Sequence, residues 1–156
     1  RKAQVTLGAC KGYPSLTFLH EASIRFKEAI DANKIPVILY FGDYDPSGED
    51  IPRSIEDNMN RLGVPIQLHR KALMEHQVIE WNLPPAPTKV GDSRSAKWTG
   101  LGQVELDSIL PEKLQSLCTE AISEFFNQDL WDELIAVEAK ETEKYRKELR
   151  NYIQSI

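Results

Sequence analysis

The most constraining feature of the sequence is an apolar run, VILYF at residues 37–41, that leads directly into two aspartates, Asp43 and Asp45, and a Pro-Ser-Gly turn. A continuous apolar run of this length is typical of a strand covered on both faces, as in parallel sheets. The two carboxylates at its end repel each other, and burial raises the cost of ionising either one. The sequence therefore predicts a positive group close to the pair.

Helical and strand patterns alternate on both sides of this run. Apolar side chains recur at helical spacing in residues 15–33, with Ser15 at the N-cap position, and a second helical pattern after Asp45 ends at Gly63. The segments QVTLGA (residues 4–9) and PIQLHRKAL (residues 65–73) have strand character. Strand, helix, strand, helix, strand with short joints predicts a mainly parallel sheet flanked by helices, and hence the α/β fold class.

The second half of the chain begins with a short helical segment at residues 74–82 and a long loop, rich in Pro, Gly and Ser, at residues 83–103. Loops of that length are usually functional or disordered. Two further helical patterns follow, from Pro111 and from about Asp129. We therefore expect an α/β domain at residues 1–110 and a C-terminal helical extension at residues 111–156.

The last helical pattern carries Tyr145, Leu149, Tyr152 and Ile156 at spacings of four, three and four. This spacing fits a short coiled coil, which would make the chain a homodimer through its C-terminal helix. It fits equally a terminal helix that packs on its own domain.

The composition limits which classes of partner the protein can bind. No apolar run approaches the roughly 20 residues that a membrane-spanning helix needs, so we expect no membrane contact and a cytoplasmic location. The net charge of −5 argues against broad, sequence-independent binding to nucleic acid, because such binding depends on neutralising phosphates. A local basic groove that contacts DNA or another nucleic acid is still compatible with this charge.

The position of the aspartates suggests a metal site. Ligands of parallel α/β sheets bind outside the carboxyl ends of the strands, and residues two apart on extended backbone point the same way. Asp43 and Asp45 would thus converge on Mg²⁺ or Mn²⁺, which keeps waters for a substrate phosphate. Ser47 and Gly48 open the next helix, whose amides favour an anion. Alternatively, Asp45 only caps that helix and Asp43 only bonds to a neighbouring loop.

The heptapeptide GDYDPSG (residues 42–48) resembles the aspartate motif of the Toprim domain, in the Gly-Asp-x-Asp-Pro-x-Gly form of the topoisomerase VI A subunit and its meiotic double-strand-break relatives. The upstream segment ACKGYPSLTFLHEASIRF is similar to that group's Gly-Tyr-Pro turn and following helix. Both segments stand in the expected order, and the resemblance covers about residues 4–71.

This resemblance implies a Rossmann-like Toprim fold with Asp43 and Asp45 as magnesium ligands, together with a glutamate on an earlier strand. No acidic residue precedes Gly12, so we expect the strand with the glutamate to lie upstream of Arg1. The family's nucleophilic tyrosine belongs to a separate winged-helix domain. Tyr13, Tyr40 and Tyr44 are accordingly expected to be packing or rim residues.

The function implied is that of a Mg-dependent module of a topoisomerase VI A-like or nuclease-like protein that acts on nucleic-acid phosphodiesters. Because the attacking group and one metal ligand are expected outside this chain, we expect the chain alone to be inactive. The alternative is a non-catalytic Toprim-shaped module that binds nucleic acid or protein. A phosphotransferase or phosphatase of another family would leave the Gly-Tyr-Pro segment unexplained.

Basic side chains near the predicted site are candidates for contacts with phosphate or nucleic acid. Arg70 closes the last predicted strand, and three further cations lie in the long loop. The predicted phosphate or nucleic-acid contacts are Ser47, Gly48, Arg70, Lys89, Arg94 and Lys97. Each cation could also be an ordinary solvated surface residue.

Overall fold

The computed structural model describes residues 5–85, 98, 100 and 102–154 of the 156-residue chain. The chain divides into two compact units, Arg1–Leu117 and Cys118–Ile156. The elements, in chain order, are α1 (Leu16–Asp31), β1 (Val37–Phe41), α2 (Pro46–Arg61), β2 (Gln67–Ala72), α3 (Glu75–Glu80), a short 3-10 helix (Leu106–Ser108), α4 (Pro111–Ser123) and α5 (Gln128–Gln154).

Strands β1 and β2 form a parallel pair, in which Val37 is aligned with Gln67 and Tyr40 with Arg70. A register shift after Tyr40 places Phe41 opposite Ala72. Pairing continues past the strands, because the Gly42 amide donates to the Ala72 carbonyl at 2.8 Å. The α/β class with a parallel sheet is confirmed, since both strands run in the same direction with helix α2 between them.

Two predictions about the strands were wrong. Residues 5–9 form no strand, and Val5 and Leu7 are 61% and 91% exposed, because strand propensity yields a strand only where a partner edge receives it. The residues of β1 are half-buried rather than fully covered. The reason is that each strand is an edge strand of the two-stranded sheet in the described part of the chain.

Helices α1 and α2 share one hydrophobic cluster with the sheet. Its buried members are Leu19, Ala22, Ile51, Ile55 and Met59, and Ile38, Tyr40 and Leu68 of the strands pack against it. Ser15 caps α1 as predicted, since its hydroxyl accepts a hydrogen bond from the Phe18 amide at 3.2 Å. The periodic apolar positions of both helices thus become the core of this layer.

A second hydrophobic cluster lies beyond the carboxyl ends of the strands and is formed by Tyr44, Ala72, Leu73, Val78, Val104 and Ile109. Tyr44 and Val104 form an isolated antiparallel bridge through two backbone hydrogen bonds of 2.8 and 3.0 Å. This bridge brings the segment after Val104 to the end of β1. It therefore determines what surrounds Asp43.

The unit Cys118–Ile156 contains α5, which is 27 residues long and has no buried residue. Near its start, the rings of Phe126 and Trp131 pack with centroids 5.3 Å apart. Among the residues that the structure describes, no helix combines the length and apolar character needed to cross a membrane.

Candidate acidic site at the carboxyl end of strand β1

Asp45 begins helix α2. It occupies the N-cap with extended backbone (φ −148°, ψ 170°), and its Oδ1 accepts a hydrogen bond from the Gly48 amide at 2.5 Å. Pro46 follows at the first helical position, where its fixed φ suits the helix and its missing N–H is not needed. Asp45 therefore does what aspartate commonly does at a helix start.

Asp43 is held by a distant segment. Its Oδ1 accepts a hydrogen bond from the Leu106 amide at 2.7 Å, just after the bridge that Val104 makes with Tyr44. The helix cap and the loop contact are the two interactions that the simpler alternative predicted. Both carboxylates can still accept further hydrogen bonds or bind a cation. Each has about four lone-pair positions, and the hydrogen bond described here fills only one of them.

Two glycines permit close contacts around the pair. A Cβ at Gly48 would lie 2.9 Å from the Asp43 carbonyl carbon and overlap its oxygen. A Cβ at Gly42 would overlap the hydroxyl of Tyr40, whose ring lies along the strand end. Glycine at both positions thus lets α2 start directly over the backbone of Asp43, and lets Tyr40 reach the same edge.

Arg70 provides the positive charge beside the carboxylates. Its Nη2 donates to the backbone carbonyl of Asp43 at 3.1 Å and to that of Leu73 at 2.5 Å, and its Nη1 lies 3.4 Å from Glu49 Oε1. The side chain is only 17% exposed. The guanidinium therefore joins β1, the end of β2 and the first turn of α2.

Tyr40 contributes a half-buried phenol to this edge. Burial raises the pKa of Tyr40 to about 12, and the nearby Asp43 and Asp45 reinforce this shift while Arg70 opposes it. At neutral pH the phenol is thus protonated and able to donate a hydrogen bond. This chemistry matches a packing or rim residue rather than a nucleophile.

Asp43 also lines an open pocket of about 370 Å³ with Glu105, Leu106, Asp107 and Leu114. Sequence reasoning missed Glu105 and Asp107. Their only sequence signal is an acidic pair around Leu106, and the Tyr44–Val104 bridge that brings them to Asp43 cannot be inferred from local pattern. In the described ranges, no three Asp, Glu, His or Cys side chains are arranged to hold a metal ion.

The structure brings together five of the residues singled out from the sequence. Asp43 and Asp45 lie at the end of β1, Ser47 and Gly48 lie in the first turn of α2, and Arg70 in β2 reaches the Asp43 carbonyl. The predicted contacts Lys89, Arg94 and Lys97 lie outside the described residues.

The Gly-Tyr-Pro turn lies beside the same helix. Gly12 has a φ of +85°, which favours glycine, and the hydroxyl of Tyr13 donates to Asp50 Oδ2 at 2.8 Å. The Gly-Tyr-Pro turn therefore contacts helix α2, whose first turn begins within the segment GDYDPSG.

No protein-family model matches the chain, and comparisons with curated proteins and with solved structures find no significant match.

Proposed function

We propose that this chain is a Toprim-type module with a Rossmann-like sheet. It would use Mg²⁺ or Mn²⁺ to act on nucleic-acid phosphodiesters, as part of a topoisomerase VI A-like or nuclease-like protein in the cytoplasm. The observation that carries the proposal is the position of Asp43 and Asp45. They stand at the carboxyl end of a parallel strand, directly before a helix N-terminus, which is where ligands of parallel α/β sheets bind.

The donor set accommodates a divalent cation, but weakly. Asp43 and Asp45 each keep acceptor capacity, and both carry the charge that Mg²⁺ prefers in its ligands. Arg70 works against the cation, because its guanidinium is already bound to the Asp43 carbonyl. A bound ion would be held by Asp43 and Asp45 with several waters, and it would stabilise the charge of a phosphoryl group.

Metal binding can be tested without disturbing the backbone contacts. In the double variant Asp43→Asn, Asp45→Asn, the side-chain oxygens can still accept from the Leu106 and Gly48 amides, while both charges are lost. Removing two charges from a cation site should weaken Mn²⁺ binding by about tenfold or more, as measured by calorimetry and by competition with Mg²⁺.

The matched control is Glu21→Gln, Glu28→Gln, which removes two charges from the exposed side of α1. It should leave Mn²⁺ binding unchanged. Equal binding by the wild type and the Asp43→Asn, Asp45→Asn variant would remove the metal proposal, provided that their unfolding midpoints agree.

Nucleic acid would reach this edge through basic side chains from the long loop. Asp43, Asp45 and Glu49 make the edge negative, so a phosphate backbone needs a bound cation or the cations Lys89, Arg94 and Lys97 beside it. Replacing Arg94 and Lys97 with alanine should weaken the binding of short DNA. The salt dependence should flatten by about one unit of log slope for each lost phosphate contact.

The second candidate is a non-catalytic Toprim-shaped module that binds nucleic acid or protein. The observation favouring it is that both carboxylates already accept backbone hydrogen bonds and that Arg70 already supplies positive charge beside them. DNA binding that is independent of divalent cations, and unchanged in the Asp43→Asn, Asp45→Asn variant, would favour this candidate over the enzyme module.

A further inference from the structure

Helix α5 exposes large apolar side chains towards both of its ends. Tyr145, Leu149 and Tyr152, for example, are 67%, 60% and 65% exposed. A helix of 27 residues is about 40 Å long, so this surface is extended. Scattered apolar residues on a surface are ordinary, but four exposed ones on α5 fall on one regularly spaced stripe: Ile135, Tyr145, Leu149 and Tyr152.

One stripe of α5 repeats with alternating steps of four and three residues. It consists of Trp131, Ile135, Glu138, Thr142, Tyr145, Leu149 and Tyr152. In heptad terms, Ile135, Thr142 and Leu149 occupy a positions, and the other four occupy d positions. Such a stripe is the seam along which two helices supercoil, with each side chain inserted between four of the partner helix.

The charged residues beside the stripe indicate which helix can pair with α5 and in which direction that helix runs. Glu141 and Glu148 occupy g positions, and Arg146 occupies the e position that follows Glu141 by five residues. Residues five apart do not meet on one helix. In a parallel pair of identical helices, however, Glu141 faces Arg146 of the second copy, and this happens twice. An antiparallel pair would place the two acidic g rows against each other.

We infer that α5 pairs with α5 of a second copy of this chain in a parallel, two-stranded coiled coil. Tyr145, Leu149 and Tyr152 form its apolar layers, and the two Glu141–Arg146 pairs set its direction and register. Glu138 and Thr142 place polar groups in the middle of the seam, which lowers the affinity of the dimer while penalising other registers. The inference does not rest on the metal site, so either can fail alone.

The first test measures the mass of the full chain by sedimentation equilibrium over a range of concentrations. The wild type should form a dimer. Leu149→Glu places two like charges in an apolar layer and should raise the dissociation constant by about 100-fold or more. Asn151→Glu adds the same charge two residues away, outside the seam, and should leave the constant within about twofold. A wild type that stays monomeric throughout, or a Leu149→Glu variant that still dimerises, would overturn the inference.

The second test uses a charge exchange. Glu141→Lys and Arg146→Glu should each raise the dissociation constant by about fivefold, because each creates two like-charge pairs across the dimer. The double variant Glu141→Lys, Arg146→Glu should return to within about twofold of the wild type. These residues are exposed, so their exchange leaves the core of the unit unchanged. Additive losses in the double variant would overturn the parallel register.

A cysteine variant tests the direction separately. In a Cys10→Ser, Cys118→Ser background, Leu149→Cys should form an intermolecular disulfide under mild oxidation, because a parallel a layer brings the two copies of residue 149 together. Trp131→Cys in the same background should also cross-link to itself. A variant that carries both cysteines distinguishes the two directions. A cross-link between residue 149 and residue 131, without the 149–149 and 131–131 cross-links, would show an antiparallel pair and overturn the inference.

Discussion

The turn after β1 and helix α5 differ in how their side chains are satisfied. In the turn, the carboxylates of Asp43 and Asp45 accept hydrogen bonds from backbone amides, and Arg70 adds positive charge from the neighbouring strand. In α5, no residue is buried, and Tyr145, Leu149 and Tyr152 are 67%, 60% and 65% exposed. The first region makes its polar contacts within the chain, whereas the second leaves large apolar side chains exposed.

This difference indicates at which region the binding of an external partner should have the larger net effect on free energy. A cation at Asp43 and Asp45 must compete with contacts that already exist, so its net effect is small. A second copy at α5, as inferred above, would remove apolar surface from water. Substitutions in the two regions should therefore act on different quantities.

The largest expected effect is that of Gly48→Ala. The new methyl group overlaps the Asp43 carbonyl, so the start of α2 must move away from β1 and the Asp45 cap must weaken. We expect a loss of about 3 kcal/mol in the free energy of unfolding by urea. Gly63→Ala is the matched control, because Gly63 has a φ of +72° but open space around it, and it should lose only about 1 kcal/mol. Equal losses would mean that backbone conformation, and not the close approach, matters at residue 48.

The next effect concerns the Tyr40 hydroxyl at high pH. Its pKa is raised from 10.0 to about 12, so the folded state holds the proton more tightly than the unfolded state. The stabilisation that this tighter proton binding gives the folded state is fully present below pH 10 and is lost as the pH rises through about 12. Because the side chain is only half-buried, we expect about 1 kcal/mol after solvent screening.

Tyr40→Phe should therefore reduce the fall in the free energy of unfolding that the wild type shows between pH 10 and about pH 12. At concentrations below the dimer dissociation constant, Tyr145→Phe, at a position 67% exposed, is the control and should leave that fall unchanged. Indistinguishable pH profiles for the Tyr40→Phe variant and the wild type would show that the surroundings of Tyr40 do not raise its pKa.

Asp45→Ala should destabilise the chain by about 1 kcal/mol, because the Gly48 amide loses its acceptor. Asp45→Asn keeps the acceptor and should lose less than half of that. Ser15→Ala, which removes the corresponding cap of α1, is a comparison of the same kind and should cost a similar amount. A larger loss for Asp45→Asn than for Asp45→Ala would show that the charge, and not the cap, is the stabilising feature of this residue.

The smallest expected effect is that of Leu149→Ala on the monomer. At concentrations below the dimer dissociation constant, the free energy of unfolding should change by less than about 0.5 kcal/mol, because the side chain is 60% exposed. At higher concentrations the wild type should gain stability with concentration and the variant should gain less. A large loss at low concentration would place Leu149 in a contact within its own chain.

Local patterns in the sequence predicted much of this architecture. Helices α1 and α2 follow from apolar spacing and from the caps at Ser15 and Asp45, strand β1 follows from a short apolar run, and strand β2 lies in a segment with strand character. These signals depend on neighbours a few residues apart. The strand expected at residues 4–9 failed because a strand also needs a partner, which residue propensity does not supply.

The surroundings of Asp43 could not be predicted in this way. The Leu106 amide, the carboxylates of Glu105 and Asp107, and the guanidinium of Arg70 reach the site through tertiary contacts. The sequence placed Arg70 on the same edge of the sheet as the aspartates, but assigned it to phosphate contact and expected a metal cation to balance the carboxylates. It could not show that the guanidinium would bind the carbonyls of Asp43 and Leu73, because those bonds depend on how the strand ends are aligned.

The two aspartates should also become ordered at different stages of folding. The hydrogen bond of Asp45 joins residues three positions apart, whereas that of Asp43 joins residues 63 positions apart. The first can form as soon as the first turn of α2 forms. The second must close a long loop, and contacts of that kind are made late because their entropic cost comes before their benefit. Hydrogen exchange of the Gly48 and Leu106 amides should therefore separate during refolding, with Gly48 protected first. Only the fully folded chain holds the two carboxylates in place together.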